Sequence, residues 1–293
     1  MWLHAPLHGR FALIRLALSD IDNTLVPFGQ PYASDRVFEA MRNARAAGVQ
    51  FGPATGRDEQ ELMRFFKGDR SCFATGILSN GKKVLVDGEL VWVRYVENLA
   101  LQRLAEAFRP LPGCFVIAYP AKTSLDNPAY VIGANTNEMA VFEQRFKFNG
   151  IIVNEVPDMD LIAATIACTE SAFTLDDVRR ISRSVSPEFD VVSPVPNWFD
   201  VIPAGVSKAS AFDILLGKLG LTPEEAVFFG DAENDLQIMA RTPNSVAVAN
   251  ATPAAAEAAR FHIGPVTADG VADALDELAT AAREGRTAAF LQG

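Results

Sequence analysis

Residues 11–19, FALIRLALS, form an almost unbroken apolar run that stops at Asp20. A run of that length without alternation predicts a strand buried on both faces, as in a parallel sheet covered by helices. After a polar turn the spacing changes. Val37, Phe38, Met41 and Ala44 recur at helical intervals between Ser34, a side chain suited to cap a helix, and Gly48, suited to end one. VQFGPAT (49–55) then predicts a second strand and RDEQELMRFFKG (57–68) a second helix. That order predicts a doubly wound parallel sheet. The same rhythm returns near the C-terminus. There 207–220, 231–242 and 269–285 read as helices, and AVFFG (226–230) and SVAVAN (245–250) as strands.

The middle of the chain has a different pattern. KVLVDGELVWVRYV (83–96) is two alternating runs around Asp87-Gly88, the signature of a hairpin. Beyond it, strands (114–123, 129–133, 161–169, 190–195, 197–203) cluster with helical stretches (98–111, 138–148, 174–185). An α+β module inserted into an α/β domain accounts for the change. The expected organisation is a discontinuous Rossmann-like core, 1–96 and 197–293, and an inserted cap domain, 97–196.

Composition narrows the class. A chain of 293 residues, 49% hydrophobic and 21% charged, has the length for two domains and the balance of a soluble globular protein. The net charge of −10 repels phosphate backbones at long range, so nucleic acid is not an expected partner. No apolar stretch approaches the ~20 residues of a membrane span. Arg15 interrupts the first apolar run and Asp20 follows it, so residues 1–20 read as a short extension into a strand and not as a secretion signal. Cys72, Cys114 and Cys168 have no paired spacing, which indicates a reducing, cytoplasmic compartment and excludes a disulfide framework or zinc site; each is expected to be a small buried apolar residue. His4, His8 and His262 also lack ligand spacing.

The chemistry gathers at strand ends. Asp20 and Asp22 follow the first strand, Thr55-Gly56-Arg57 the second, and Asp231 with Asn234 and Asp235 the AVFFG strand, while Lys208 opens a helix. In open α/β sheets, ligands bind outside the carboxyl ends of the strands. A threonine hydroxyl and free amides at a helix start are donors to phosphate. Clustered carboxylates need a cation between them, and hard oxygen ligands beside a phosphate point to Mg²⁺. An ionised carboxylate there can attack phosphorus and form an aspartyl phosphate, with lysine supplying further positive charge.

These residues resemble the haloacid dehalogenase superfamily, specifically its Cof-type branch (subfamily IIB) with a large α+β cap. The likeness runs through Asp20-Ile21-Asp22-Asn23-Thr24, Thr55-Gly56-Arg57, Ser79-Asn80-Gly81, Lys208, Gly230-Asp231-Ala232-Glu233-Asn234-Asp235 and Asp269-Gly270-Val271-Ala272. Asn23 and Lys82 depart from it, standing where glycine and a small residue are commoner. The resemblance implies a phosphatase for a small phosphorylated metabolite, a sugar phosphate or a phosphorylated cofactor such as pyridoxal phosphate. It implies Asp20 as nucleophile and Mg²⁺ ligand, and Asp22 as general acid and base that also binds metal through its carbonyl. Asp231 would complete the metal ligands, with Asp235 behind them. Thr55, Gly56, Arg57, Lys208 and Asn234 would bind substrate. The rivals are a phosphomutase and a non-catalytic phosphometabolite-binding protein. Trp198 and Phe199 read as packing residues, and oligomeric state is not legible.

Overall fold

The computed structural model describes residues 13–121, 128–145, 150–169 and 173–292. His4, His8 and the N-terminal extension through residue 12 lie outside them, as do 122–127 and 146–149, into which two of the expected elements run. The chain divides into two compact units, Met1–Val93 with Ser207–Gly293, and Arg94–Val206.

The first unit opens with β1 (Leu16–Ser19), α1 (Asp35–Ala46), β2 (Gln50–Pro53), α2 (Glu59–Phe65), β3 (Gly76–Leu78), β4 (Lys83–Val86) and β5 (Glu89–Val93). The second contains α3 (Asn98–Phe108), β6 (Cys114–Pro120), β7 (Ala129–Ile132), α4 (Thr136–Arg145), β8 (Gly150–Val153), β9 (Leu161–Cys168), α5 (Leu175–Val185), β10 (Phe189–Val195) and β11 (Trp198–Pro203). The chain then returns to the first unit through α6 (Lys208–Leu219), β12 (Ala226–Gly230), α7 (Leu236–Met239), β13 (Ser245–Val248), α8 (Pro253–Ala258), β14 (Phe261–Ile263) and α9 (Gly270–Glu284).

The first unit is a parallel sheet in the order β14-β13-β12-β1-β2. Leu16, Ala17 and Leu18 have no exposed surface, which is why the apolar run does not alternate: β1 is an inner strand with helices on both faces. On one face Val37, Met41 and Ala44 of α1 pack with Val271, Leu275 and Leu278 of α9. On the other, Phe212, Leu215 and Leu216 of α6 meet Leu16, Leu18 and Phe228. Full burial of each such side chain contributes about 1.5–3 kcal/mol. Ser34 caps α1 by accepting the Val37 amide. After β1 the chain moves outward to β2, and β12 lies on the other side of β1. The order therefore reverses at β1, and the crevice at its carboxyl end is the switch point.

The antiparallel sheet β3-β4-β5 turns at Asp87 and Gly88, both at positive φ (51° and 86°), as the hairpin signature requires. One expected element changes form. Residues 231–242 are not a single helix: a 3₁₀ turn at Glu233–Asp235 precedes the short α7. The cause is Asp235, whose carboxylate turns back to accept the amides of Asp231 and Ala232 and so holds them in a loop.

The second unit is a six-stranded sheet in the order β10-β11-β9-β6-β7-β8. Leu101, Leu104 and Phe108 of α3 and Val178 of α5 cover one face. Met139 of α4 packs on the other, against Phe115, Ile117 and Val131. Phe199 belongs to the first of these cores, in keeping with a packing role. Cys114 and Cys168, 54 residues apart, are paired across β6 and β9. No helix among the described residues is long and apolar enough to cross a membrane.

Candidate active site

Asp20 is the first residue beyond β1, its amide held by the Phe229 carbonyl of β12 (2.9 Å). The next residues form a tight turn in which the Leu25 and Val26 amides both reach the Ile21 carbonyl. Asn23 stands in that turn at φ 58°. Asparagine tolerates this left-handed conformation better than other residues with a side chain, which explains how it can stand where glycine is commoner. Thr24 donates its hydroxyl to Asp231 Oδ1 (2.7 Å), tying the turn to the carboxyl end of β12.

Lys208 opens α6 and is 2% exposed. Its Nζ donates to Asp20 Oδ1 (2.9 Å) and Asp235 Oδ1 (2.7 Å). Asp235, with no exposed surface, uses its other oxygen on the Asp231 and Ala232 amides. Gly230 makes this possible: a Cβ there would lie 2.6 Å from Asp235 Oδ2. Burial pushes the Asp20 carboxyl up to about 7, against the pull of Lys208, and burial raises Asp231 as well. Burial alone would lower the Lys208 ammonium, but Asp20 and Asp235 outweigh it and hold Lys208 above its ordinary value.

Carboxylate oxygens of Asp20, Asp231 and Asp235 lie within 4.8 Å of one another. Three carboxylates against one ammonium leave two negative charges in a buried space, which fits a divalent cation held by oxygen ligands. The hydrogen bonds sort the three acids. Both Asp235 oxygens are engaged by donors, while Lys208 takes only Oδ1 of Asp20 and Thr24 only Oδ1 of Asp231. Asp20 and Asp231 could therefore hold the cation, with Asp235 orienting the lysine and the loop.

Arg57, expected at the substrate, directs its guanidinium to Asp22 through two parallel bonds of 2.9 Å and to Glu61 one turn into α2. Thr55 is 1% exposed, and its hydroxyl accepts the Arg57 amide (3.2 Å). Gly56 lies against the Asn80 side chain, 3.1 Å from where a Cβ would sit. Asn234 is exposed on the turn after β12.

Ser79, Asn80 and Gly81 have φ of 53°, 55° and 92°, three consecutive left-handed residues. The Asn80 amide donates to Thr55 O and the Ser79 amide to Arg57 O. Gly81 abuts α6 so closely that a Cβ would lie 2.1 Å from the Ser207 carbonyl. This strained segment fixes the Thr55 loop and the start of the Lys208 helix together. Its positive φ values at Ser79 and Asn80 carry no signal in composition or periodicity.

A doubly wound core that gathers buried acids and one lysine at its strand ends, interrupted after β5 by a second compact unit, defines a class of Rossmann-like hydrolases. Residues 17–275 match the haloacid dehalogenase-like hydrolases, and the chain belongs to that family. It is 24% identical over 266 residues to 5-amino-6-(5-phospho-D-ribitylamino)uracil phosphatase of Escherichia coli, covering 90% of this chain and 96% of the relative. Two solved structures share the fold. A subclass IIB sugar phosphatase matches with a TM-score of 0.65 at 23% identity, covering 89% of this chain and 97% of that one. A phosphatase from Bacteroides thetaiotaomicron matches with a TM-score of 0.72 at 19% identity, covering 94% and 97%. The chain is a phosphatase-type hydrolase of this family.

Proposed function

We propose that this hydrolase is Mg²⁺-dependent and removes the phosphoryl group from a small metabolite, a sugar phosphate or phosphorylated cofactor, through an aspartyl phosphate on Asp20. The observation that carries this reading is the buried Lys208 bridging Asp20 and Asp235 beside Asp231. Mg²⁺, when bound by Asp20, Asp231 and the Asp22 carbonyl, supplies positive charge to the phosphoryl oxygens. Lys208 orients the Asp20 carboxylate, leaves its Oδ2 for attack on phosphorus, and adds charge where the phosphoryl oxygens gather. Asp22 protonates the leaving oxygen and then takes a proton from the attacking water. Arg57 pairs with both Asp22 oxygens in this structure and must release one for Asp22 to carry the proton it donates; Thr55, Gly56 and Asn234 bind the phosphoryl group. The unit Arg94–Val206 serves as a specificity cap. A relative that acts on a phosphorylated ribitylaminouracil supports a small hydroxyl-rich substrate.

The test is phosphate release across a panel of phosphorylated metabolites, with and without Mg²⁺, by wild type and Asp20→Asn. Turnover that is metal-dependent in the wild type and lost in the variant supports the reading. Activity of Asp20→Asn within tenfold of wild type overturns the nucleophile assignment. Phosphate release that requires a bisphosphate activator would favour a mutase. Binding of phosphometabolites without turnover would favour a binding protein.

A further inference from the structure

Cys114 opens β6 and Cys168 closes β9, and the antiparallel register sets them directly opposite each other. Their amides point elsewhere: Cys114 N–H donates to Leu111 O and Cys168 N–H to Asn197 O. One step outward, Thr169 N–H donates to Gly113 O at 2.9 Å. This is the non-hydrogen-bonded type of cross-strand pair, in which opposed Cα atoms are about 4.5 Å apart and the side chains leave the sheet on one face. Disulfides form at Cα separations of roughly 4.4–6.8 Å, so the strand frame brings the thiols together without backbone movement. The two Sγ atoms are 2.9 Å apart.

We propose that Cys114 and Cys168 are a modification site, joined by a peroxide into an intrachain disulfide between β6 and β9. The Cys114 thiolate attacks one peroxide oxygen; the S–O bond forms, the O–O bond breaks, and the departing hydroxide takes a proton to leave as water. The Cys168 sulfur then attacks the Cys114 sulfenic acid. The S–S bond forms as the S–O bond breaks, and the Cys168 proton leaves with a second water. Two thiols are oxidised by two electrons, and the peroxide is reduced to two waters.

Either sulfur can donate the hydrogen bond between them, and the proposed order takes Cys168 as the donor. With Cys168 as donor, the Cys114 thiol is held below its usual value and that of Cys168 well above, so Cys114 attacks and Cys168 resolves. Both sulfurs are buried, but they sit at the rim of their strands, beside the half-buried Gly113 and Thr169, where fraying admits a molecule as small as peroxide. Cys72 lies in the other unit, where burial pushes its thiol up to about 12, and is a spectator. The bond closes a 54-residue span that contains β7, α4 and β8 and locks the two inner strands of the sheet.

The test uses the full-length protein treated with hydrogen peroxide, followed by intact mass, thiol titration in denaturant and peptide mapping. The expected result is a loss of two mass units, one remaining thiol, a Cys114–Cys168 peptide and full reversal by dithiothreitol. The unfolding midpoint of the oxidised protein should rise on the order of 5–10 °C. In Cys168→Ser the same treatment should leave a Cys114 sulfenic acid that dimedone traps. Three thiols after treatment, a bond to Cys72, or oxidation to sulfinic acid without cross-linking would overturn the proposal. The wild-type mass and map decide the matter even if the variant folds poorly.

Discussion

Asp20 and Asp235 share one lysine, yet their surroundings give them different work, and substitution should separate them. Asp235 holds Lys208 and two backbone amides, so Asp235→Ala leaves a buried ammonium and two amides short of partners. A loss of about 3 kcal/mol or more in urea unfolding is expected, together with loss of activity. Asp20→Asn keeps the Lys208–Asp235 bond and relieves a crowded carboxylate that burial already pushes up to about 7. Its unfolding midpoint should stay near or above wild type while turnover is lost; a destabilisation equal to that of Asp235→Ala would contradict this division. Asp22→Ala should cost about 10²–10⁴-fold with an alkyl phosphate and markedly less with an aryl phosphate in phosphoenzyme formation, because an aryl leaving group needs no proton. Equal losses in rapid-quench bursts would remove Asp22 as the acid.

The strained Ser79–Gly81 segment does its work on α6, the helix that carries Lys208. Gly81→Ala would bring a Cβ within 2.1 Å of the Ser207 carbonyl at a residue with φ +92°. The N-terminus of α6 must then shift, so kcat should fall by tenfold or more along with stability. Gly29→Ala is the control, since Gly29 has a similar φ (+84°) but nothing within 4 Å of its Cβ position. It should show only a backbone penalty of about 1 kcal/mol and unchanged kcat. Steady-state kinetics and thermal unfolding of the pair check this, and equal behaviour would mean that contact with α6 is not what Gly81 provides. The longer elements of the first unit were legible, α1 from an apolar face of helical period and β1 from an unbroken apolar run, whereas β3, α8 and β14 are too short to carry a period and were not read. The loop at 231–235 was not, because an aspartate bonding to its own preceding amides leaves no trace in periodicity.

At the scale of the molecule, chemistry and selectivity should be separable if the second unit is a specificity cap. Lys208→Ala removes charge needed by every substrate and should depress kcat/KM across the whole panel. Polar positions of the second unit should instead reorder the panel while acetyl phosphate reacts almost as before. Asp200 is the first to test: its Oδ1 is oriented by Trp198 Nε1 (2.7 Å) and the Thr165 hydroxyl (3.1 Å), and its Oδ2 accepts no bond from the described residues. A scan of the second unit's polar positions, Asp200→Asn included, checks this by kcat/KM across the panel relative to acetyl phosphate. A uniform loss across the panel and acetyl phosphate would contradict the selective role.

What the sequence determined by itself was the class of fold and the identity of the acids. Buried β1 cannot alternate, and Asp20, Asp22 and Asp231 must sit where their strands end, because both follow from one-dimensional spacing. The expectation for the cysteines shows the limit of that reasoning. Cys114 and Cys168 are each small buried residues, as their contexts imply, but spacing along the chain says nothing of partners brought together by strand register. In the same way, tertiary structure decided that Asp235 engages both its oxygens, on Lys208 and on the Asp231 and Ala232 amides, and that Arg57 meets Asp22 and Glu61. Those choices depend on which donors lie within 3 Å after folding, a three-dimensional quantity that no pattern of residues encodes locally.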